Sequence, residues 1–145
     1  MIRVLVFAAP IDSTAEMAAL EADGGAVATF TGLVRADDGV SVLELEHYPG
    51  ATEAALVRLA EAARARWGLT AATIVHRVGA MRPGERIVFV GTVSVHRAAA
   101  LEACAYLIDR LKTDAPFWKR ETVGDATRWV EARAHDDAAA RKWGD

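Results

Sequence analysis

The sequence is poor in the residues that carry sulfur and metal chemistry. Cys104 is the single cysteine among 145 residues, so a disulfide within the chain and a thiolate-rich zinc or iron–sulfur site are both excluded. The four histidines have no metal-ligand spacing among them. We therefore predict neither a metal nor a cofactor, and any sulfur used in a reaction must be brought by another molecule.

The sequence also has no excess of basic residues and no long apolar run. Seventeen Lys and Arg against twenty Asp and Glu give a net charge of −3, which argues against a dedicated nucleic-acid binder. No apolar run approaches the roughly 20 residues that a membrane helix needs. Residues 1–10 lack a cleavage-like segment and indicate a first strand, not a signal peptide. We expect a cytoplasmic protein that binds neither nucleic acid nor membrane.

Short strand-like segments alternate with helical patterns along a chain of one-domain length. Strands are predicted at residues 2–8, 26–34, 42–48, 71–78, 86–96 and 127–132. Three helices are predicted: one opened by a Ser-x-x-Glu capping box at Ser13, one from Thr52 to about Trp67, and one at about 97–111. We predict a single α+β or α/β domain over residues 1–133, with the alanine-rich residues 134–145 as a loosely held tail.

The first candidate site is Ser94-Val95-His96-Arg97, where a predicted strand gives way to a helix. First-turn N–H groups lack helical partners and carry the positive end of the helix dipole. His96 and Arg97 at that point favour an anion site suited to phosphate. The alternative is that His96 is a cap-like residue and that Arg97 is solvated.

The second candidate site follows the third predicted helix, at residues 112–121. Lys112, Lys119 and Arg120 lie there with Phe117 and Trp118, and burial of the two aromatic rings would draw the cations toward a cleft. A lysine held among cations can act as a nucleophile or a general acid/base. The alternatives are that Lys112 stabilises a helix C-terminus and that Glu121 pairs the other two cations.

The third candidate site is Phe-Thr-Gly-Leu-Val-Arg at residues 30–35, which ends a predicted strand. Gly32 allows close approach of a ligand or marks a bulge. Arg35 is either a second phosphate fork or a solvated surface residue. Cys104 lies on the apolar stripe of its helix and indicates a buried hydrophobe.

Several segments, in a fixed order between residues 26 and 133, share their pattern with one family. They lie at residues 30–35, 45–50, 76–79, 83–85, 93–97, 111–121 and 128–133. The most specific is the Lys-Thr-x-Ala-Pro-Phe-Trp-Lys-Arg-Glu run that starts at Lys112. Together, these segments resemble the large, catalytic subunit of molybdopterin synthase.

The resemblance implies an α/β hammerhead-type fold with additional antiparallel strands. It implies a sulfurtransferase that converts cyclic pyranopterin monophosphate into molybdopterin by installing two sulfurs as a dithiolene. The sulfur arrives as a thiocarboxylate on the C-terminal glycine of a small ubiquitin-like partner, whose Gly-Gly tail enters a pocket beside the substrate. Two large subunits form a homodimer that takes one small subunit each, as a heterotetramer.

The resemblance also assigns site residues. Lys119 is the expected general acid/base, and Lys112 the expected contact for the thiocarboxylate and the developing anion. Leu33 departs from relatives that have Lys, so no cationic contact is implied at that position. The remaining residues implied to bind substrate are Val34, Arg35, His96, Arg97, Arg120 and Glu121, and Arg133 is implied to reach a neighbouring subunit's site.

Two other functions compete with sulfur transfer. A binding module could dock a ubiquitin-like tail without chemistry, although the two lysines beside candidate phosphate ligands count against it. A nucleic-acid role would rest on Arg35, Arg97, Lys119 and Arg120 beside Trp118, and the net charge counts against it.

Overall fold

The computed structural model describes residues 1–22, 24–130 and 134–144. The described residues form eight strands: β1 (Ile2–Phe7), β2 (Ala26–Leu33), β3 (Val40–His47), β4 (Ala71–Arg77), β5 (Gly79–Met81), β6 (Arg86–Ser94), β7 (Phe117–Val123) and β8 (Ala126–Val130). They also form four α-helices: α1 (Ser13–Glu21), α2 (Ala51–Trp67), α3 (Arg97–Asp114) and α4 (Ala134–Arg141). None of the helices in these described ranges is long and apolar enough to cross a membrane.

The first sheet has the strand order β1-β4-β6-β2. β1 pairs with β4 in parallel, whereas β6 is antiparallel to both β4 and β2. All seven residues of β4 are buried, because helices cover both faces of this sheet. β4 is therefore mainly apolar, and its polar residues are Thr73, His76 and Arg77.

Different helices cover the two faces of the first sheet. α2 and α3 cover one face, where the helices contribute Leu56, Ala60, Ala63, Ala103 and Leu107 to the largest apolar cluster. Alternate strand residues point to the opposite face, where α1 places Leu20 against Phe89 and Val93. Gly91 allows this packing, since a Cβ there would lie 2.1 Å from the Leu20 side chain.

The second sheet has the order β5-β3-β7-β8 and is antiparallel throughout. A small cluster of Val34, Leu45 and Met81 packs against partly buried Leu43, Val78 and Ile87, and it joins this sheet to the first one. The α+β class with additional antiparallel strands is therefore confirmed.

Helix starts differ from the expected ones by a residue or two. Asp12, not Ser13, caps α1, because its carboxylate accepts a hydrogen bond from the Ala15 N–H at 3.1 Å. α2 begins after Gly50, whose N–H donates to Glu53 Oε1 at 2.7 Å. The predicted cap Thr52 is instead buried and donates to the Tyr48 carbonyl at 2.9 Å.

Residues 112–121, whose sequence is too irregular to predict a helix, divide between two regular elements. Their first residues continue α3 to Asp114, and β7 begins at Phe117. β7 pairs with β3 on one side and β8 on the other, which places the Lys119–Arg120 pair in the middle of the second sheet. The last strand is confirmed at Ala126–Val130, while residues 131 and 132 of the prediction lie outside the described residues.

The described C-terminal residues, which the sequence predicts to be a loosely held tail, contact the rest of the domain. α4 packs on α3, and the Trp143 ring meets Trp67 and Tyr106 edge-on with centroids 5.7 Å away in each case. Trp143 Nε1 donates to Asp109 Oδ2 at 2.7 Å. This aromatic anchor, not the alanine-rich composition, decides how residues 134–144 are held.

Candidate active site

A cleft of about 730 Å³ lies between the end of the first sheet, the second sheet and the C-terminal half of α3. Its walls come from β2 and the loop after it, from β3, β4, β6 and β7, and from α3. Of the residues predicted from sequence, the cleft is lined by Leu33, Val34, Arg35, Lys112, Lys119 and Glu121. The structure thus brings together residues that lie up to 88 positions apart in the chain (Leu33 to Glu121).

The two candidate catalytic lysines reach the cleft from different elements. Lys112 lies in the last turn of α3, where the helix dipole favours a cation. Lys119 is directly opposite buried Leu45 in the β3–β7 ladder. Because strand side chains alternate, Lys119 and Glu121 share the face of β7 that lines the cleft. Both lysines are exposed, so the cleft opens to solvent beside them.

The loop after β2 contributes the third cation. Val34 is buried, and its backbone is fixed by hydrogen bonds from its N–H to the Glu85 carbonyl at 2.9 Å and from the Gly84 N–H at 2.8 Å. Arg35 follows it with an exposed guanidinium that pairs with Asp37 at 3.6 Å. A solvated ion pair of this kind is worth little, so Arg35 can exchange Asp37 for an anionic ligand.

Each of the three carboxylates that line the cleft has a partner. Asp37 pairs with Arg35, and Glu121 pairs with its cross-strand neighbour Arg128 at 3.2 Å. Asp109 accepts from Trp143 and lies 3.3 Å from Lys142 Nζ. Partnered carboxylates oppose an incoming anion less than free ones do.

His76 also lines the cleft, near the end of β4. It is 5% exposed, its Nδ1 lies 2.8 Å from the Arg77 carbonyl oxygen, and its ring stacks on Phe117 with centroids 4.1 Å apart. Burial lowers the pKa of His76 to about 4, and the charges of Lys119 and Lys112 act in the same direction. His76 is therefore neutral at pH 7.

Arg120 does not line the cleft, contrary to expectation. It follows Lys119 on a strand and so points to the opposite face of the second sheet. There it pairs with Glu44 on β3, and its guanidinium lies 5.4 Å from the Trp129 ring centroid. Two adjacent cations on one strand cannot both face the same cavity.

His96 and Arg97 do not line the cleft of their own chain either. His96 is the N-cap residue of α3, and Arg97 is the first residue of that helix. Lys112 lies 15 residues further along, which corresponds to about 22 Å of helix at 1.5 Å per residue. Both side chains are exposed at the far end of α3. Arg133 lies outside the described residues.

Comparison with known proteins identifies the family. A family model named "MoaE protein" matches residues 6–114, which is most of the chain. The molybdopterin synthase catalytic subunit of Escherichia coli (strain K12) is 52% identical over 124 residues, or 83% of this chain and 83% of that protein. The chain belongs to the MoaE family.

Solved structures from the MoaE family have the same fold. A molybdopterin biosynthesis MoaE protein from Burkholderia ambifaria MC40-6 superposes with a TM-score of 0.86 at 48% identity, covering 99% of both chains. Molybdopterin synthase from Staphylococcus aureus gives a TM-score of 0.81 at 32% identity, covering 87% of this chain and 95% of that one. The segment that carries Lys119 follows the end of the family-model match, yet it lies within the fold shared with the Burkholderia protein.

Several cleft residues have no functional role predicted from the sequence, among them His76, Asp109 and Phe117. His76 reads as a core histidine on its apolar strand, and Asp109 lies among helix residues with no motif around it. Phe117 was expected to be buried, but its stacking partner could not be read from sequence. Among the described residues, no group of three or more His, Cys, Asp or Glu side chains is placed to hold a metal ion.

Proposed function

We propose that this chain is the catalytic subunit of a molybdopterin synthase. It transfers sulfur from the C-terminal thiocarboxylate of a small ubiquitin-like partner to cyclic pyranopterin monophosphate. The observation that carries the proposal is the meeting of Lys112, Lys119 and Arg35 on one open cleft, in a chain about half identical to proteins named molybdopterin synthase catalytic subunit.

The chemistry requires such a cluster of cations. The substrate phosphate, the thiocarboxylate and the released carboxylate are all anions. In each transfer, the thiocarboxylate sulfur forms a carbon–sulfur bond to the substrate as a carbon–oxygen bond at the same carbon breaks, and that oxygen leaves as water or stays on the phosphate. Water then cleaves the resulting thioester, which leaves the sulfur on the substrate and a carboxylate on the partner's glycine. Fixed cations lower the energy of the anionic transition states without reorganising during the reaction.

Residue roles follow from position. Arg35 lies on the loop after β2 and binds the phosphate, which orients the carbons that take the sulfur. Lys119 acts as the general acid/base, and Lys112 contacts the thiocarboxylate sulfur and the developing oxyanion. Leu33 and Val34 line the cleft with apolar side chains, and Glu121 remains paired with Arg128.

The partner's Gly-Gly tail enters where the cleft opens beside the two exposed lysines. Glycines suit this entry because they have no side chain to clash with the walls and can adopt extended backbone freely. The word "subunit" in the names of the relatives agrees with a separate sulfur-carrying protein.

We assign His96 and Arg97 to the cleft of a second copy of this chain within a homodimer. In one chain the length of α3 keeps them away from Lys112, so they can bind the same substrate only across a subunit interface. Co-expression of a His96→Ala/Arg97→Ala chain with a Lys119→Ala chain tests this assignment.

If the residues act across the interface, each mixed dimer keeps one intact cleft. Random pairing then restores about a quarter of wild-type activity, although each variant alone is inactive. If both sets act within one chain, every cleft in the mixed dimer is defective, and no activity returns.

The catalytic roles are tested by single-turnover assays with the thiocarboxylated partner. Lys119→Ala and Lys112→Ala are expected to lose at least about 100-fold in rate, the usual size of a lost acid/base or charge-stabilising group. Arg58→Ala, an exposed cation on α2, is the control and should retain full activity. Near-normal turnover in both lysine variants would overturn the roles.

A further inference from the structure

His76 supplies the cleft with a hydrogen-bond acceptor that the sulfur-transfer chemistry does not use. Its Nδ1 lies 2.8 Å from the Arg77 carbonyl oxygen. A carbonyl oxygen only accepts, so Nδ1 carries the proton and donates it. In a neutral imidazole the other nitrogen, Nε2, then holds a lone pair.

The surroundings keep this imidazole neutral. His76 is buried, and Lys119 on β7, Lys112 on α3 and His47 on β3 all disfavour a positive charge on it. Its one opposing contact is the hydrogen bond to the Arg77 carbonyl, which favours the protonated form. Among the described residues, no hydrogen bond to Nε2 is found, and Nε2 is not one of the fully buried side-chain atoms that lack a partner, which are Ser13 Oγ and His47 Nδ1.

The ring has little freedom to turn away. Phe117 stacks on it with an interplanar angle of 24°, and the bond from Nδ1 fixes its rotation. His76 thus combines a buried side chain, a fixed tautomer and an unpartnered acceptor on the wall of the cleft.

Most of the charged side chains on this wall recognise a different chemistry. Lys112, Lys119 and Arg35 are donors suited to phosphate and thiocarboxylate, and Glu121 and Asp109 have partners of their own. Asp37 lies on the exposed loop after β2 with Arg35, whereas His76 is buried in the wall. None of these cations can accept a hydrogen bond from a heterocyclic N–H. A pterin carries N–H donors on its ring system and therefore needs an acceptor.

We propose that Nε2 of His76 accepts a hydrogen bond from a ring N–H of the pterin and so selects the heterocycle within the cleft. This inference rests on the proposed function, because the pyranopterin is the ligand that supplies the N–H. A site built to bond a donor rejects an analogue that lacks it, since the buried acceptor is then left unpaired.

Two substitutions distinguish the hydrogen bond that Nε2 accepts from the stacking of the ring on Phe117. His76→Phe keeps an aromatic ring for stacking on Phe117 and removes Nε2. His76→Gln keeps an amide oxygen that can accept in its place. Calorimetric titration of the full chain with cyclic pyranopterin monophosphate, and separately with inorganic phosphate, measures the two recognition chemistries.

The expected result is about tenfold weaker pterin binding by His76→Phe, the size of one net hydrogen bond, with phosphate binding unchanged and partial recovery in His76→Gln. Unchanged pterin binding in His76→Phe would overturn the inference. Equal loss of pterin and phosphate binding would also overturn it, because that pattern indicates a general disturbance of the cleft.

A second measurement covers the case in which His76→Phe does not fold. In wild-type protein labelled with nitrogen-15 at histidine, the Nε2 resonance of His76 should shift when the pterin is added and stay in place when phosphate is added. An unmoved resonance with bound pterin overturns the inference alone. Failure of wild-type protein to bind the pterin at all overturns the proposed function together with it.

Discussion

The buried neutral His76 makes stability depend on pH in a defined window. Histidine has an ordinary pKa of about 6.5, whereas burial lowers the pKa of His76 to about 4. Above pH 6.5 the side chain is neutral in both the folded and the unfolded chain, so it adds no pH dependence. Between pH 6.5 and 4 only the unfolded chain binds the proton, so stability falls as the pH falls.

The magnitude follows from the same two values. At pH 5 the unfolded state gains about 2 kcal/mol from protonating this histidine, a gain that the folded state does not share. That is a large fraction of the 5–15 kcal/mol that typically holds a domain together. Hydrogen bonds lower the pKa values of Glu53 and Glu85, so the stability that these carboxylates contribute is lost mainly below pH 4.5, which is lower than pH 5.

Urea unfolding followed by tryptophan fluorescence at pH 8, 7, 6 and 5 tests the reasoning. The free energy of unfolding of wild-type protein should fall by about 2 kcal/mol more than that of His76→Phe between pH 8 and pH 5. The comparison cancels every other titrating group that the two proteins share. Parallel pH profiles for the two proteins would refute a buried neutral His76.

Three further predictions concern packing and the lone thiol. Cys104→Ala should keep full sulfur-transfer activity, because burial raises the pKa of this thiol to about 11 and Cys104 does not line the cleft. A variant that folds but is inactive would contradict this prediction. Gly91→Ala should lower the free energy of unfolding by about 1–3 kcal/mol, since the new Cβ would lie 2.1 Å from the Leu20 side chain; an unchanged urea midpoint would be the contrary result. Trp143→Ala should lower the free energy of unfolding by about 2 kcal/mol, because the packing on Trp67 and Tyr106 is lost. An unaltered melting temperature would show that residues 134–144 are loosely held.

Local patterns in the sequence were enough to locate the main elements that carry the site. Branched residues predict β4 and β6, and the apolar stripe around Leu107 predicts α3, whereas β5 between the two strands is not predicted. The family resemblance then predicts Lys112 and Lys119 as catalytic residues, and the structure places both on the cleft. The predictions of the elements hold because they depend on neighbours within a few positions in the chain.

Two placements depend on which side or end of an element a residue occupies, and the sequence did not predict them. Lys119 and Arg120 are consecutive on a strand, so the pleat separates them onto opposite faces once the strand is recognised. Arg97 and Lys112 lie on one helix, and its length alone keeps them about 22 Å apart. Both placements follow from simple geometry, but only once residues 112–121 are known to divide into the end of α3 and β7.

Long-range contacts could not be read from the sequence. The neutral state of His76 depends on Phe117, 41 positions away in the chain, and on the two lysines of the cleft. Likewise, Trp143 holds the C-terminal residues through its hydrogen bond to Asp109 on α3. Burial of a polar group depends on the whole fold, so a local sequence pattern does not predict it.

The most direct test of sulfur transfer is the mass of the product. The protein is mixed with cyclic pyranopterin monophosphate and a small partner that carries a C-terminal thiocarboxylate, and the pterin is analysed by mass spectrometry. The proposed function predicts a product that contains two sulfurs, formed only with the thiocarboxylated partner and not with its carboxylate form. A pterin that binds but gains no sulfur in the presence of the thiocarboxylated partner would contradict the assignment of this chain as the catalytic subunit.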